Sequence, residues 1–474
     1  MSRAPSSSPR PGLFGLACLL LVAACGDAEP VRRSPPKHPV VLVLLDALAA
    51  SHVSHLGYER CTTPNLDRLA ATGLTCRNAL APAPYTLASV SSLMSARLPD
   101  RHGVVQRKTT LDPSGVTLAE CLQAAGWRTF GAVSNFNGGA LYGCAQGFDD
   151  FTEVFRVADG RTADVYEGGQ AYHQARASDF PPILERWLAS KDERAPFFYL
   201  HILEPHEPYD PPSCFRELWL DPAYTGPFAH GDSASLTPMR HDHHPADEAD
   251  REAVRALYDG NLAYADWMLG RVLGRLREAG LYDEALVIVT SDHGEAFWEH
   301  GEQGHNTTLY TEMLRVPLVV KFPSSWKRAP EVLDRTVSPM DLMPSLCQWL
   351  DLPVPPGAEW DGVPIDDTRA ESGVDRRRIV LRTNDKHADF GLCEGPWKTI
   401  VDRDQTAGAK VTAFDLALDP GELHPIAHTE SERAKEHATF LFEYVKLATL
   451  GRSAEGRDLT ESERAMLQKL GYAE

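Results

Sequence analysis

The sequence predicts an α/β protein with a largely parallel central sheet flanked by helices, followed by a small C-terminal α+β subdomain. Three observations carry this expectation. Apolar runs alternate with helical stretches along most of the chain, which is the order a parallel sheet with crossover helices requires. Several of these runs are continuous rather than alternating, Val40–Leu45 above all, which suits strands buried on both faces. Past about Pro364–Gly373 the runs shorten, and a charged helix follows them.

Taken in order, Val40–Leu45 is the first strand. Thr63-Pro64 followed by Leu66, Leu69 and Ala70, with Gly73 behind, reads as a short helix. Thr63 would cap it, proline sits at its first position and glycine ends it. Thr117 and Glu120 form a capping box that opens a second helix, ending near Gly126. Further strands are expected at Thr129–Ser134, Phe197–Leu203, Leu286–Thr290 and Val316–Phe322, with a long helical stretch from about Arg251 to Ala279. Short β segments at Ile379–Arg382, Trp397–Val401 and Val411–Phe414 precede a helix from about Glu430. These signals divide the chain into a large domain at 39–365 and a C-terminal subdomain at 366–474. The polar stretch 224–250 holds His230, His241, His243 and His244 and reads as a solvated insertion rather than a metal site.

The ends and the composition narrow the class. Residues 1–25 carry Arg3, Arg10 and an apolar run from Leu13 to Ala24, too short to span a bilayer, so they read as an export signal. The run ends in Val22-Ala23-Ala24-Cys25, which resembles the lipobox of bacterial lipoproteins, where the cysteine is acylated. Gly26 rather than aspartate follows, which implies the outer membrane. Residues 26–38 then form a polar, proline-containing tether. The expectation is an exported protein, lipid-anchored at Cys25, whose body works beside a membrane at the cell envelope. A formal charge of -19 makes nucleic acid a poor partner. Beyond Cys18 and Cys25 the cysteines (Cys61, Cys76, Cys121, Cys144, Cys214, Cys347 and Cys393) are odd in number and lack CxxC spacing. They specify neither a disulfide framework nor a zinc-thiolate site.

The chemistry centres on strand ends. Asp46 follows the first strand, and Asp292-His293 follow Leu286–Thr290. Parallel strands converge at their C-terminal ends on a ligand crevice. Two carboxylates and an imidazole there suit a divalent ion bound through oxygen and nitrogen.

A longer pattern runs through these positions. Asp46, Thr63-Pro64-Asn65-Leu66-Asp67-Arg68-Leu69-Ala70 and Thr86-Leu87-Ala88-Ser89-Val90-Ser91-Ser92-Leu93-Met94-Ser95-Ala96-Arg97-Leu98-Pro99 resemble the N-terminal half of the sulfatase family. Thr290-Ser291-Asp292-His293-Gly294-Glu295, Glu299-His300-Gly301, Gly304-His305-Asn306 and Arg315-Val316-Pro317-Leu318 resemble its second metal-binding block. Asp341-Leu342-Met343-Pro344, Phe414-Asp415-Leu416 and Asp419-Pro420-Gly421-Glu422 resemble its later landmarks. The resemblance implies the alkaline-phosphatase-like fold and a metal-dependent hydrolase of phosphate or sulfate esters. It puts the nucleophile on Thr86 and the metal on Asp46, Thr86, Asp292 and His293, with one ion of Ca, Mn, Zn or Mg. His206, in Glu204-Pro205-His206-Glu207-Pro208-Tyr209, matches a substrate-binding histidine that also serves catalysis. His305 matches a position facing the anion, and Asn135 falls near another. His300 and His52 are expected to be structural.

The chain departs from the family at the nucleophile. Sulfatases carry a Cys or Ser there, converted to formylglycine within a Cys/Ser-x-Pro-x-Arg core. Here the core reads Thr86-Leu87-Ala88-Ser89-Val90, and a second aspartate usual after the first is Ala47. Threonine does not yield that aldehyde by the same route, whereas phosphoryl-transferring relatives use an unmodified Thr. The resemblance therefore implies a hydrolase favouring phospho-esters on a small-molecule, glycan or lipid substrate. The alternatives are a sulfatase working without formylglycine and an inactive glycan-binding lipoprotein.

Overall fold

All six residues of β1 (Val40–Leu45) are fully buried, and in the computed structural model this strand lies inside an eight-stranded sheet. The structure describes residues 38–155, 165–167, 170–172, 175–190, 192–231, 246–366, 377–384, 387–404 and 408–450. The export signal, Cys25, the tether up to residue 37 and the histidines at 241, 243 and 244 lie outside these residues, while His230 is exposed.

The other strands of the sheet are β2 (Leu74–Leu80), β3 (Arg128–Val133), β4 (Asp150–Glu153), β5 (Pro196–Ile202), β6 (Leu286–Thr290), β7 (Arg315–Lys321) and β8 (Glu331–Val337). They lie in the order β8-β2-β7-β6-β1-β5-β3-β4. Pairing is parallel between β1 and both β5 and β6, along β5-β3-β4, and between β2 and β8. Strand β7 runs antiparallel to β2 and β6. The largely parallel sheet expected from the apolar runs is therefore present.

Three of these strands have no counterpart in the sequence reading. Asp150–Glu153 and Glu331–Val337 form the two edges, where one side of the strand meets solvent and polar residues are tolerated. Strand β2 interrupts its apolar pattern with exposed Arg77 and Asn78. None of the three carries the continuous apolar signal of a central strand.

Helices α1 (Pro64–Ala70), α2 (Thr86–Ser95), α3 (Leu118–Ala124), α4 (Phe180–Leu188), α5 (Glu248–Glu278) and α6 (Leu342–Trp349) accompany the sheet. The capping box of Thr117 and Glu120 opens α3 as expected. Helix α1 differs. Thr63 makes no side-chain cap; its hydroxyl donates to Asp67 instead. The free amides of Asn65 and Leu66 donate to the carboxylate of Asp266, at 2.9 Å each, supplied by α5. Gly73 is required behind α1 because a Cβ there would meet the Val320 carbonyl at 2.3 Å.

The C-terminal part forms a separate antiparallel sheet of β9 (Arg378–Arg382), β10 (Phe390–Glu394), β11 (Trp397–Asp404), β12 (Gly408–Asp415) and β13 (Ile426–Ala427), in sequence order. Helix α7 (Glu432–Leu450) follows. The expected segments map to β9, β11 and β12. The unanticipated β10 has Gly391 near its centre, and β13 has only two residues. A buried ion pair of Arg382 with Asp100, and a bond from the Arg382 amide to the Pro82 carbonyl, fasten this sheet to the segments on either side of α2. Among the described residues the cysteines carry free thiols, and no helix is long and apolar enough to cross a membrane.

Candidate active site

Strand pairing brings the expected residues together. Because β1 lies parallel between β5 and β6, with Leu45 opposite Ile202 and Leu44 opposite Thr290, all three strands end on one edge. Asp46 begins where β1 stops. Its amide donates to the Ile202 carbonyl, and its carbonyl accepts the His206 amide at 3.1 Å. Ala47 then turns through the left-handed region at φ +57°, costly for a residue with a Cβ. The turn is held by the Ala47 amide on Asp292 Oδ1 (3.2 Å), the Leu48 amide on Ser291 Oγ (2.9 Å) and the Tyr258 hydroxyl on the Ala47 carbonyl (2.8 Å).

Thr86 is the first residue of α2, and Tyr85 occupies the cap position. Thr86 Oγ1 lies 3.2 Å from His293 Nε2, 3.5 Å from Asp46 Oδ1 and 3.4 Å from Asn135 Nδ2. Asn135 also donates to Asp46 Oδ2 at 2.6 Å. The Nδ1 atom of His293 faces the Gly294 carbonyl at 2.8 Å. A carbonyl only accepts, so Nδ1 carries the hydrogen and Nε2 offers its lone pair to the site.

One further member was not anticipated. His201, on β5, places Nε2 2.9 Å from Asp46 Oδ2, and packs so closely on Gly138 that a Cβ there would reach its Nδ1 at 2.6 Å. Asp46, His201 and Asp292 are buried and offer ligand atoms within 4.8 Å of one another. His293 Nε2 lies 3.7 Å from Asp46 and 3.5 Å from Asp292 Oδ2. Asp292 Oδ2 is buried without a hydrogen-bond partner. Two buried carboxylates, one with an unsatisfied oxygen, beside imidazole nitrogens fit a divalent cation of the Ca, Mn, Zn or Mg type. The signal for His201 was present in the sequence: it is a histidine inside the otherwise apolar run Phe197–Ile202, one residue before the strand ends.

The electrostatics follow from this crowding. Burial pushes Asp46 upward, but His206, His201 and His293 outweigh it and hold the carboxyl below its usual range. Burial, then the charge of Asp46, push Asp292 up. Burial pushes His293 down, but Asp292 and Asp46 outweigh it and its pKa rises. Burial pushes His206 down to about 3 and Glu204 up to about 7.

His206 and His305 complete the site. The Nδ1–H of His206 donates to the Glu207 carbonyl at 2.6 Å, leaving Nε2 as an acceptor. His305 places Nδ1 3.0 Å from Glu295 Oε1, and its ring lies 4.9 Å from that of His206 and 4.5 Å from that of His293. His52 pairs with Asp259 and His300 with Glu312. The site thus unites a threonine hydroxyl, a cluster of carboxylates and imidazoles that could hold a cation, and two further imidazoles, the kinds of group a phosphoryl- or sulfuryl-ester hydrolase requires.

Comparison with known proteins agrees. The sulfatase family model matches residues 38–352. The multifunctional alkaline phosphatase superfamily protein PehA of Trinickia caryophylli is 26% identical, over 66% of this chain and 73% of its own. An arylsulfatase of Clostridium perfringens is 23% identical, over 85% of this chain and 93% of its own. A solved structure in complex with its substrate D-glucosamine-2-N,6-O-disulfate shares the fold, with a TM-score of 0.69 and 16% identity over 88% of this chain and 99% of its own.

Proposed function

The chain belongs to the sulfatase family of hydrolases, and within it we propose a metal-dependent phospho-ester hydrolase whose nucleophile is the unmodified Thr86. One observation carries the reading: Thr86 Oγ1 lies 3.2 Å from His293 Nε2 and 3.5 Å from Asp46 Oδ1, beside the carboxylates and imidazoles that could hold a cation. Asp46, Asp292, His293 and His201 would hold the ion. A bound divalent cation supplies Lewis-acid polarisation of the ester and eases loss of the threonine proton.

The chain's own groups do the rest. Thr86 Oγ1 attacks phosphorus and leaves its proton on Asp46 Oδ1, 3.5 Å away, since the one lone pair of His293 Nε2 would be taken by the ion. Asn135 Nδ2, 3.4 Å from the same oxygen, steadies the oxygens of the bound anion. His305, held through Nδ1 by the Glu295 carboxylate, gives a proton to the departing alkoxide. Water, hydrogen-bonded to the acceptor Nε2 of His206, then attacks phosphorus and gives a proton back to His305, while the bond to Thr86 breaks and Oγ1 recovers its own proton from Asp46.

The test is kcat/KM for nitrophenyl phosphodiester, phosphate monoester and sulfate on one metal-loaded preparation. The phospho-esters should turn over faster. A second reading, sulfate ester hydrolysis without formylglycine, draws support from the Clostridium arylsulfatase relative. A clear preference for the sulfate would establish that reading instead. We also place the enzyme at the cell envelope through a lipid on Cys25, on the strength of Val22-Ala23-Ala24-Cys25. Mass spectrometry of the mature N-terminus should find Cys25 acylated, and an unmodified Cys25 would remove the anchor.

A further inference from the structure

The loop that carries His305 is gripped by the C-terminal sheet. Glu422, in the turn between β12 and β13, is fully buried and takes a left-handed backbone at φ +54°. Its Oε1 pairs at 2.7 Å with Lys398 of β11, whose side chain is 1% exposed. Its Oε2 accepts the Thr311 amide at 2.6 Å, and its backbone carbonyl faces His300 Nε2 at 3.2 Å. His300 in turn bonds Glu312 through Nδ1 at 2.8 Å and stacks on Tyr310 at 3.7 Å. Residue 422 therefore pins both ends of the segment 300–312. Near its middle, Asn384, just past β9, donates to Asn306 Oδ1 at 2.7 Å, and Asn306 has a left-handed φ of +78°. His305 precedes that residue.

A buried ion pair is a poor source of stability, because desolvation offsets its attraction. What such a pair does well is fix one geometry, and here the geometry fixed is that of a loop whose His305 ring lies 4.5 Å from that of His293 and 4.9 Å from that of His206. We propose that Asn384, Lys398 and Glu422 are positioning residues of the hydrolase, through which the C-terminal sheet sets the place of the His305 ring against His206 and His293. The kinetic part rests on the hydrolase reading above; the structural part does not.

The experiment uses the full chain with two changes made separately: Asn384→Ala, and the paired Lys398→Met/Glu422→Gln. The second removes the charge pair, keeps an acceptor for the Thr311 amide and leaves no lone buried charge. Histidine-selective NMR follows the His305 ring signal, identified by its loss in His305→Gln, with the His52 signal as control. Both variants should shift His305 and leave His52 in place. For an aryl phosphodiester, kcat should fall roughly ten- to a hundred-fold with KM within about two-fold, the scale of a displaced catalytic group. In a His305→Ala background the same changes should cost less than about two-fold, since residues acting through one group are not additive. An unmoved His305 signal, or equal losses in both backgrounds, overturns the proposal. If the wild type turns over none of the esters, the functional reading fails while the ring signal still decides the positioning.

Discussion

Thr86→Ala should lower kcat for an aryl phosphodiester by about 10³-fold or more, because it takes away the attacking oxygen rather than a binding contact. KM should change little. The variant should fold, because the other nine residues of α2 are buried and anchor the helix. The same argument bears on the choice of ester. Hydrated formylglycine has two hydroxyls and expels sulfate by collapsing to the aldehyde. Thr86 has one, so its ester must be opened by water at phosphorus or sulfur. Metal-assisted attack of water on phosphorus is familiar enzyme chemistry, and the exit from a threonine sulfate should be slow. Steady-state kinetics of wild type and Thr86→Ala decide the matter. Turnover of the variant within ten-fold of wild type would mean that some other group attacks.

Removal of divalent metal should abolish turnover, and Mn²⁺, Zn²⁺, Mg²⁺ or Ca²⁺ should restore it to differing degrees. The same treatment has a readout in stability. A ligand present at about a hundred times its Kd stabilises the folded chain by about 2.7 kcal/mol, so the melting temperature should rise on metal addition. Asp292→Asn separates this effect from general damage. Without the ion, burial and the neighbouring Asp46 charge both oppose ionisation of Asp292. A neutral amide in its place should therefore melt as high as the metal-free wild type, or higher. The Ala47 amide keeps an acceptor in the asparagine oxygen. With metal present the order should reverse, because the variant lacks a charged ligand. Calorimetry with and without chelator reads both halves. A melting temperature indifferent to metal in the wild type would sink the cation site.

Much of this arrangement was legible in the chain. Val40–Leu45 and Leu286–Val289 are continuous apolar runs, and a strand with no polar side chain has nowhere to go except between other layers. The polar residues that break such runs at their C-terminal ends, Asp46 and Asp292-His293, then mark the crevice. Thr86 was legible only through its place in the longer pattern, since nothing in its immediate neighbours distinguishes a nucleophile from a helix cap. His201 carried a signal that is easily read as an ordinary strand position, a single histidine among apolar neighbours.

The amino-acid sequence by itself determined the fold class, the central strands and the strand-end residues, because hydrophobic periodicity and capping act over a few residues and are written locally. The tertiary structure decided what depends on partners far away in the chain. The cap of α1 comes from Asp266 rather than Thr63, two hundred residues apart, because a buried carboxylate meets the free amides better than a hydroxyl already bonded to Asp67. His201 joins Asp46 only because β5 lies beside β1 in a register that places it there. The hold of Glu422 and Lys398 on the His305 loop likewise arises only when the second sheet packs against the first. Such contacts are set by register and packing, which no local pattern of residues specifies.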